Sequence, residues 1–284
     1  MYKLRRSSRR HKGGPLIIYT MGKVGSQTVH RSLLASRLDM PIYHVHFLTQ
    51  DLIDEYLEKR KQFLGTEKYG RLKHIWLYEY LRKCIDDGLH GKRWHIITLT
   101  REPISRNISD FFENIEAEPL DAGHRYHVKS DPDFYDFEIE VNVEDMSELV
   151  QLFLERLDHD APAEYFDQEL KSVFDIDVFS GEFPTSKGYK IYKGQQADVL
   201  LIRLEDLNDC AGEAFKDFLG IDEFTLTDAN IGNEKASAPL YRKFKDSIVL
   251  PESYVERMYG SKYMRHFYSD EEIARFRAKW RISK

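Results

Sequence analysis

The 284-residue chain is poor in cysteine: Cys84 and Cys210 are all it has. Both fall on apolar faces of expected helices. They offer neither a disulfide framework nor a metal spacing, and each reads as a buried structural thiol. No run of 18 apolar residues occurs, which excludes a transmembrane helix. Excess positive charge is missing as well. Lys and Arg number 42 against 48 Asp and Glu, and a net charge of −6 argues against a general nucleic-acid binder while leaving room for local basic sites. Repeats and low-complexity tracts are absent. So is the nucleoside-triphosphatase loop G-x-x-x-x-G-K-[ST].

What is present starts with a basic segment, Met1 to Gly14, carrying Lys3, Arg5, Arg6, Arg9, Arg10 and Lys12. No apolar stretch of signal-peptide length follows it before the first strand. It reads as a disordered arm, and the chain as cytoplasmic or membrane-peripheral. Apolar residues make up 42% and aromatics 13%, enough to build the core of a single α/β domain over residues 15–284.

Pro15-Leu16-Ile17-Ile18-Tyr19 reads as a buried strand, and Val29, Leu33 and Leu34 begin a helical pattern. Between them lies Thr20-Met21-Gly22-Lys23-Val24-Gly25-Ser26-Gln27-Thr28. A strand, a glycine turn and a helix start aim backbone N–H groups and the positive end of the helix dipole at whatever sits over the turn. Gly22 and Gly25 admit an anion without an intervening Cβ. Lys23 adds charge, Ser26 and Thr28 hydroxyls, and Gln27 an amide. This chemistry suits a phosphate or a sulfate.

Further strands are expected at Pro41–Leu48, Trp94–Thr100, Val173–Phe179, Tyr189–Tyr192 and Val199–Leu204. Helices are expected from Thr49, over Leu72 to Ile85, after Pro103, over Met146 to Leu157, over Leu207 to Leu219, and from a Ser269-x-x-Glu272 capping box. The opening β-α-β-α-α-β-α order is that of a parallel sheet covered by helices. Rhythm is lost from Glu118 to about Glu144, which reads as a helical or irregular insertion or lid at 118–145.

A second motif begins where the third strand ends: Thr100-Arg101-Glu102-Pro103-Ile104-Ser105-Arg106-Asn107-Ile108-Ser109. Doubly wound sheets place ligands at such carboxyl ends. Arg101 at the strand tip and Ser109 about two helical turns on form a phosphate clamp. His44-x-His46 alternates along a strand, so both rings share a face. The pair reads either as hydrogen-bonded sheet histidines or as a general base; a metal reading lacks a third ligand.

The short loop with its early lysine resembles the 5′-phosphosulfate loop of sulfotransferases that use 3′-phosphoadenosine 5′-phosphosulfate (PAPS). The R-x-P-x-x-R-x-x-S run at Arg101, Pro103, Arg106 and Ser109 resembles their 3′-phosphate motif. His-x-His is similar to the pair in uronyl 2-O-sulfotransferases, which implies His46 as base with His44 second. Many carbohydrate sulfotransferases use a glutamate instead, a role for Glu79 or Glu113. Over most of its length the chain resembles the bacterial capsular polysaccharide synthesis family, through Phe174–Val178, Leu200–Leu207, Asn230–Lys235 and Tyr263-x-x-His266-Phe267-Tyr268. The family's late polar loop implies nucleotide contacts from Asn233, Lys235 and Tyr241.

These resemblances imply a P-loop-like three-layer α/β sandwich with a central parallel sheet. They imply PAPS as donor, PAP as product and no metal. The acceptor would be a hydroxyl of a carbohydrate such as a capsular or cell-surface glycan, with no nucleic-acid partner. Residues 22 to 28 would hold the phosphosulfate, with Lys23 catalytic. Two rivals stand beside this expectation, a P-loop kinase and an inactive PAPS- or PAP-binding module. A kinase would carry Ser or Thr where Val24 stands.

Overall fold

A computed structural model describes residues 14–58, 73–121, 123–131, 135–227 and 237–283. The basic arm up to residue 13, and Asn233 and Lys235, lie outside these residues. The chain groups into two compact units, one of Met1–Thr100 with Glu164–Ala229, the other of Arg101–Ala163 with Asn230–Lys284.

In chain order the strands are β1 Leu16–Tyr19, β2 Ile42–Val45, β3 Trp94–Thr100, β4 Ile115–Asp121, β5 Arg125–Ser130, β6 Glu138–Asn142, β7 Tyr189–Lys193, β8 Ala197–Arg203, β9 Val249–Pro251 and β10 Arg281–Ser283. The helices named below are α1 Ser26–Ala35, α2 Lys73–Asp86, α3 Pro103–Glu113, α4 Ser147–Arg156, α5 Leu207–Leu219, α6 Ala238–Ser247, α7 Glu252–Tyr259, α8 Lys262–Phe267 and α9 Asp270–Arg277.

The first unit is built on a sheet of order β2-β1-β3-β8-β7. Its first three pairings are parallel and β7 runs antiparallel against β8. The mixed α/β class with a mostly parallel central sheet is the expected one. Every residue of β1 and β8 is buried, which is why both read as continuous apolar runs rather than alternations.

One expectation fails here. Val173–Phe179 is not a strand. Residues 172–174 close a helix whose cap, Asp175, is left-handed at φ 54°. Phe174, Ile176 and Val178 are all buried, so the alternation reports burial without a ladder, and the amide of Phe179 bonds the Asp177 carboxylate (2.9 Å) instead. On α2, Trp76 is 45% exposed, and Tyr78, Tyr80, Leu81 and Ile85 carry the buried face.

In the second unit, the insertion expected at 118–145 is not helical or irregular. It is a three-stranded antiparallel sheet, β4-β5-β6. Ile115, Ala117, Tyr126, Val128 and Val141 are buried, while Glu116, Glu118, Lys129, Glu138 and Glu140 face outward. The charged outward positions hide the period of two from an eye seeking apolar runs.

Phe111 of α3 centres an aromatic cluster with Tyr135, Phe137, Phe153 and Phe244 at ring separations of 5.5–6.4 Å. The α9 capping box forms as read, Ser269 accepting from the Glu272 amide and Glu272 from the Ser269 amide. Ser269→Ala should therefore cost about 1 kcal/mol, seen as a lower urea midpoint; an unchanged midpoint contradicts the cap.

Candidate functional site

The turn after β1 is unusual in its backbone. Lys23 has φ 67° and Gly25 φ 80°, two left-handed residues separated by Val24 alone. A left-handed non-glycine residue costs roughly 1 kcal/mol or more. At Gly25 a Cβ would stand 2.5 Å from Leu204 Cδ1, so both dihedral and packing demand glycine.

Gly25 is also the N-cap of α1, which has no side-chain cap and no acid in its first turn. Its carbonyl accepts from the amides of Thr28 (3.1 Å) and Val29 (3.4 Å). The amides of Ser26 and Gln27 find no acceptor among the described residues. The result is an electropositive helix end with Lys23, half-buried, three residues ahead of it.

Both histidines of β2 and its exit belong to the same unit. His44 Nε2 lies 3.0 Å from Ser26 Oγ, which joins the strand to the first residue of α1. His46 Nδ1 lies 2.8 Å from the Thr20 carbonyl oxygen. The His44 ring centroid is 5.0 Å from that of His46 and 5.2 Å from that of His30. Burial first, then the two neighbouring rings, push the His44 pKa down to about 3. Burial lowers that of His30. Among the described residues no three His, Cys, Asp or Glu side chains group as metal ligands.

Sequence reasoning missed Glu169. It sits 1% exposed in a π-helical turn, Phe166–Lys171. Its carboxylate accepts from the Tyr19 hydroxyl, the Leu48 amide (2.7 Å), the Thr49 amide (3.1 Å) and the Thr49 hydroxyl (2.5 Å). Tyr19 immediately precedes Thr20, the partner of His46, and Leu48 follows His46 by two residues. One carboxylate thus ties both chain segments that frame the His46 ring. The sole cue in sequence is a glutamate among the buried positions of an apolar helix, where a charge needs partners.

Arg101 and Ser109 belong to the second unit. Arg101 is half-buried and follows β3 directly. Its amide donates to the Tyr263 hydroxyl (3.0 Å), which donates in turn to the Arg101 carbonyl (2.9 Å). Glu102 caps α3, accepting from the amides of Ile104 and Ser105 (2.8 and 2.9 Å) and from the Tyr259 hydroxyl (3.0 Å). So Tyr263 holds the Arg101 backbone, and Tyr259 holds the carboxylate of the next residue, Glu102. Ser109 is half-buried on α3.

Arg106, which also matches the motif, is internal: 6% exposed, with Asn107 Oδ1 at 3.1 Å and Asp110 at 3.5 Å. Arg203 pairs with Asp206 and the Thr185 carbonyl. Tyr241 packs edge-on against Phe112. Glu79 and Glu113 are both exposed. Phe267 and Tyr268 are core.

Residues 136–269 match the family model described as "Putative capsular polysaccharide synthesis protein". The span is a little under half of the chain. No curated protein and no solved structure matches. The matched span holds Glu169, Arg203 and Tyr263. It leaves out Lys23, His44, His46, Arg101 and Ser109. The match therefore covers the Glu169 anchor but does not reach the loop, the histidines or the Arg101 motif.

Two outcomes follow from this geometry. Glu169→Ala strands several buried donors and should lower stability by about 3 kcal/mol, with Glu169→Gln losing less; equal denaturation midpoints for the two variants would count against the clamp. For His44 the folded pKa lies below the unfolded value of about 6.5. Its stabilisation is complete above that pH and is lost as pH falls toward 3. His44→Gln should flatten the fall in thermal midpoint between pH 6.5 and pH 4, leaving the shares of His30, His95 and His159, which are also shifted downward by burial.

Proposed function

We propose that the protein is a sulfotransferase moving the sulfuryl group of PAPS onto a hydroxyl of a carbohydrate acceptor. The observation that carries the reading is the left-handed Lys23–Gly25 turn feeding an uncapped helix N-terminus beside the His44–His46 pair. A helix start whose Ser26 and Gln27 amides find no acceptor among the described residues fits an anionic group at that place. The family match supports the glycan side of the proposal.

In this reading the bound donor supplies an activated sulfuryl group and leaves as PAP. The amides of residues 22 to 28, with Ser26 and Thr28 hydroxyls and the Gln27 amide, hold its phosphosulfate end. Lys23 neutralises the charge that builds on the leaving oxygen. Arg101 and Ser109 take the 3′-phosphate, an assignment carried by motif spacing. His46 takes the proton of the acceptor hydroxyl. Its Nδ1 faces a carbonyl oxygen, which only accepts, so Nδ1 carries the proton and the neutral ring offers Nε2 as base. Val24, fully buried, occupies the place where a kinase needs a hydroxyl for its metal ion, which weighs against the kinase reading.

Calorimetry with PAP and with ATP tests the donor. PAP should bind more tightly. Arg101→Ala should weaken PAP at least tenfold, as expected for a lost charge-assisted bond of roughly 1.5–3 kcal/mol. Lys23→Ala should cut transfer to hydroxylated saccharides by roughly a hundredfold or more. A preference for ATP would end the sulfotransferase reading.

A further inference from the structure

Lys245, Lys279 and Arg281 line one cavity of the second unit, together with Ser105, Asp246 and Trp280. Its volume is about 440 Å³, within the roughly 300–1,000 Å³ of pockets that hold small ligands. The fold collects these cations from two distant stretches. Lys245 lies in the last turn of α6, four residues before β9, and Lys279 and Arg281 flank Trp280 at the entry to β10. The parallel pairing of β10 with β9, Arg281 opposite Val249, brings the two stretches together.

None of the three cations has an ion-pair partner among the described residues. This differs from the helix just before them. There Arg275 reaches Glu272, and Arg277 reaches both Glu252 and Glu256. The ammonium of Lys279 lies 4.7 Å from the Phe276 ring centroid, within reach of a cation–π attraction. Asp246, in the same lining, is also without a cationic partner. Opposite charges thus stand around one hole without closing on each other.

The wall behind the cations is buried and hydrogen-bonded. Trp280 is 7% exposed, and its indole N–H donates to the Tyr259 hydroxyl (2.7 Å), which donates to Glu102 at the start of α3. Ser105 lies on that same first turn of α3. The cavity is therefore held to a buried hydrogen-bonded chain.

We propose that this cavity binds a carboxylate-bearing sugar unit of a glycan. Lys245, Lys279 and Arg281 take the carboxylate, Arg281 through its planar fork. Asp246 and Ser105 take sugar hydroxyls, which donate to the one and exchange hydrogen bonds with the other. Three like charges around one space repel one another until an anion enters. The unpaired Asp246 favours a sugar acid, with one charge and several hydroxyls, over a compact phosphate. The anion part of this assignment rests on the cavity; the saccharide part rests on the proposed function, and makes the acceptor an acidic glycan.

The test is calorimetry on the full chain with hexagalacturonate, with neutral maltohexaose and with inorganic phosphate, at two salt concentrations. Hexagalacturonate should bind, more weakly at higher salt, and maltohexaose should not. The Lys279→Gln/Arg281→Gln double variant should lose about tenfold in affinity and Lys245→Glu at least as much. All three positions are exposed, so the thermal midpoints should stay at the wild-type value. Equal affinity in wild type and variants, or equal binding of maltohexaose, overturns the proposal. Phosphate that competes as tightly as hexagalacturonate overturns the sugar assignment. PAP is titrated separately: a wild-type protein that binds hexagalacturonate but not PAP sinks the transferase reading and leaves the cavity assignment standing.

Discussion

The geometry of the first unit depends on a backbone constraint at residue 25. The chain leaves β1, turns through left-handed Lys23 and Gly25, and enters α1. The turn is closed from outside by Leu204, the residue after β8, whose methyl group occupies the space a side chain at 25 would need. Gly25 therefore answers to two demands that no other residue meets together, a positive φ and an absent Cβ. Because the turn is fixed, the start of α1 is fixed, and Ser26 comes within hydrogen-bond reach of His44 on β2. Among the described residues, the Ser26 and Gln27 amides at the start of α1 find no acceptor.

A second constraint works from below the sheet. Glu169 draws the end of β1 and the exit of β2 onto one carboxylate. A buried carboxylate is tolerated when hydroxyl and amide donors surround it. Glu169 is carried on a π-helical turn, and such turns recur at functional sites. The loop thus has its position fixed by Leu204 from one element and its histidine partner fixed by Glu169 from another. Both anchors come from the part of the chain after residue 163.

The parts of this arrangement that could be read in the sequence are the local ones. Trp94–Thr100 and the apolar run at Val199 were legible because a strand buried on both faces is apolar throughout. The strand–glycine–helix turn was legible because glycine spacing and the switch from a strand run to a helical period mark it without reference to the rest of the chain. The alternation of His44 and His46 predicts shared-face rings, and the rings stand together. Glu169 was not legible, since its partners are 120 and 150 residues away in sequence. The antiparallel sheet β4-β5-β6 was not legible for a different reason. Its outward positions are charged, so its period of two reads as polarity. The Arg203–Asp206 pair forms because the helical turn after the strand end carries the third residue on back to the arginine.

The two histidines are chemically unequal, and the difference bears on which of them is suited to take a proton. His44 is held against Ser26 and two other histidine rings. With a pKa near 3 it stays neutral at physiological pH and is too weak a base to hold a proton in transfer. Its low basicity is owed first to burial and then to His46 itself, so a charge on either ring opposes a charge on the other. Protonation of the pair therefore belongs to one ring at a time. The proposed base is the ring whose Nδ1 proton is already committed to the Thr20 carbonyl, because that bond strengthens when the ring becomes cationic. His44, held neutral against Ser26, then serves the proposed base by remaining uncharged beside it: a second imidazolium 5.0 Å away would cancel the gain.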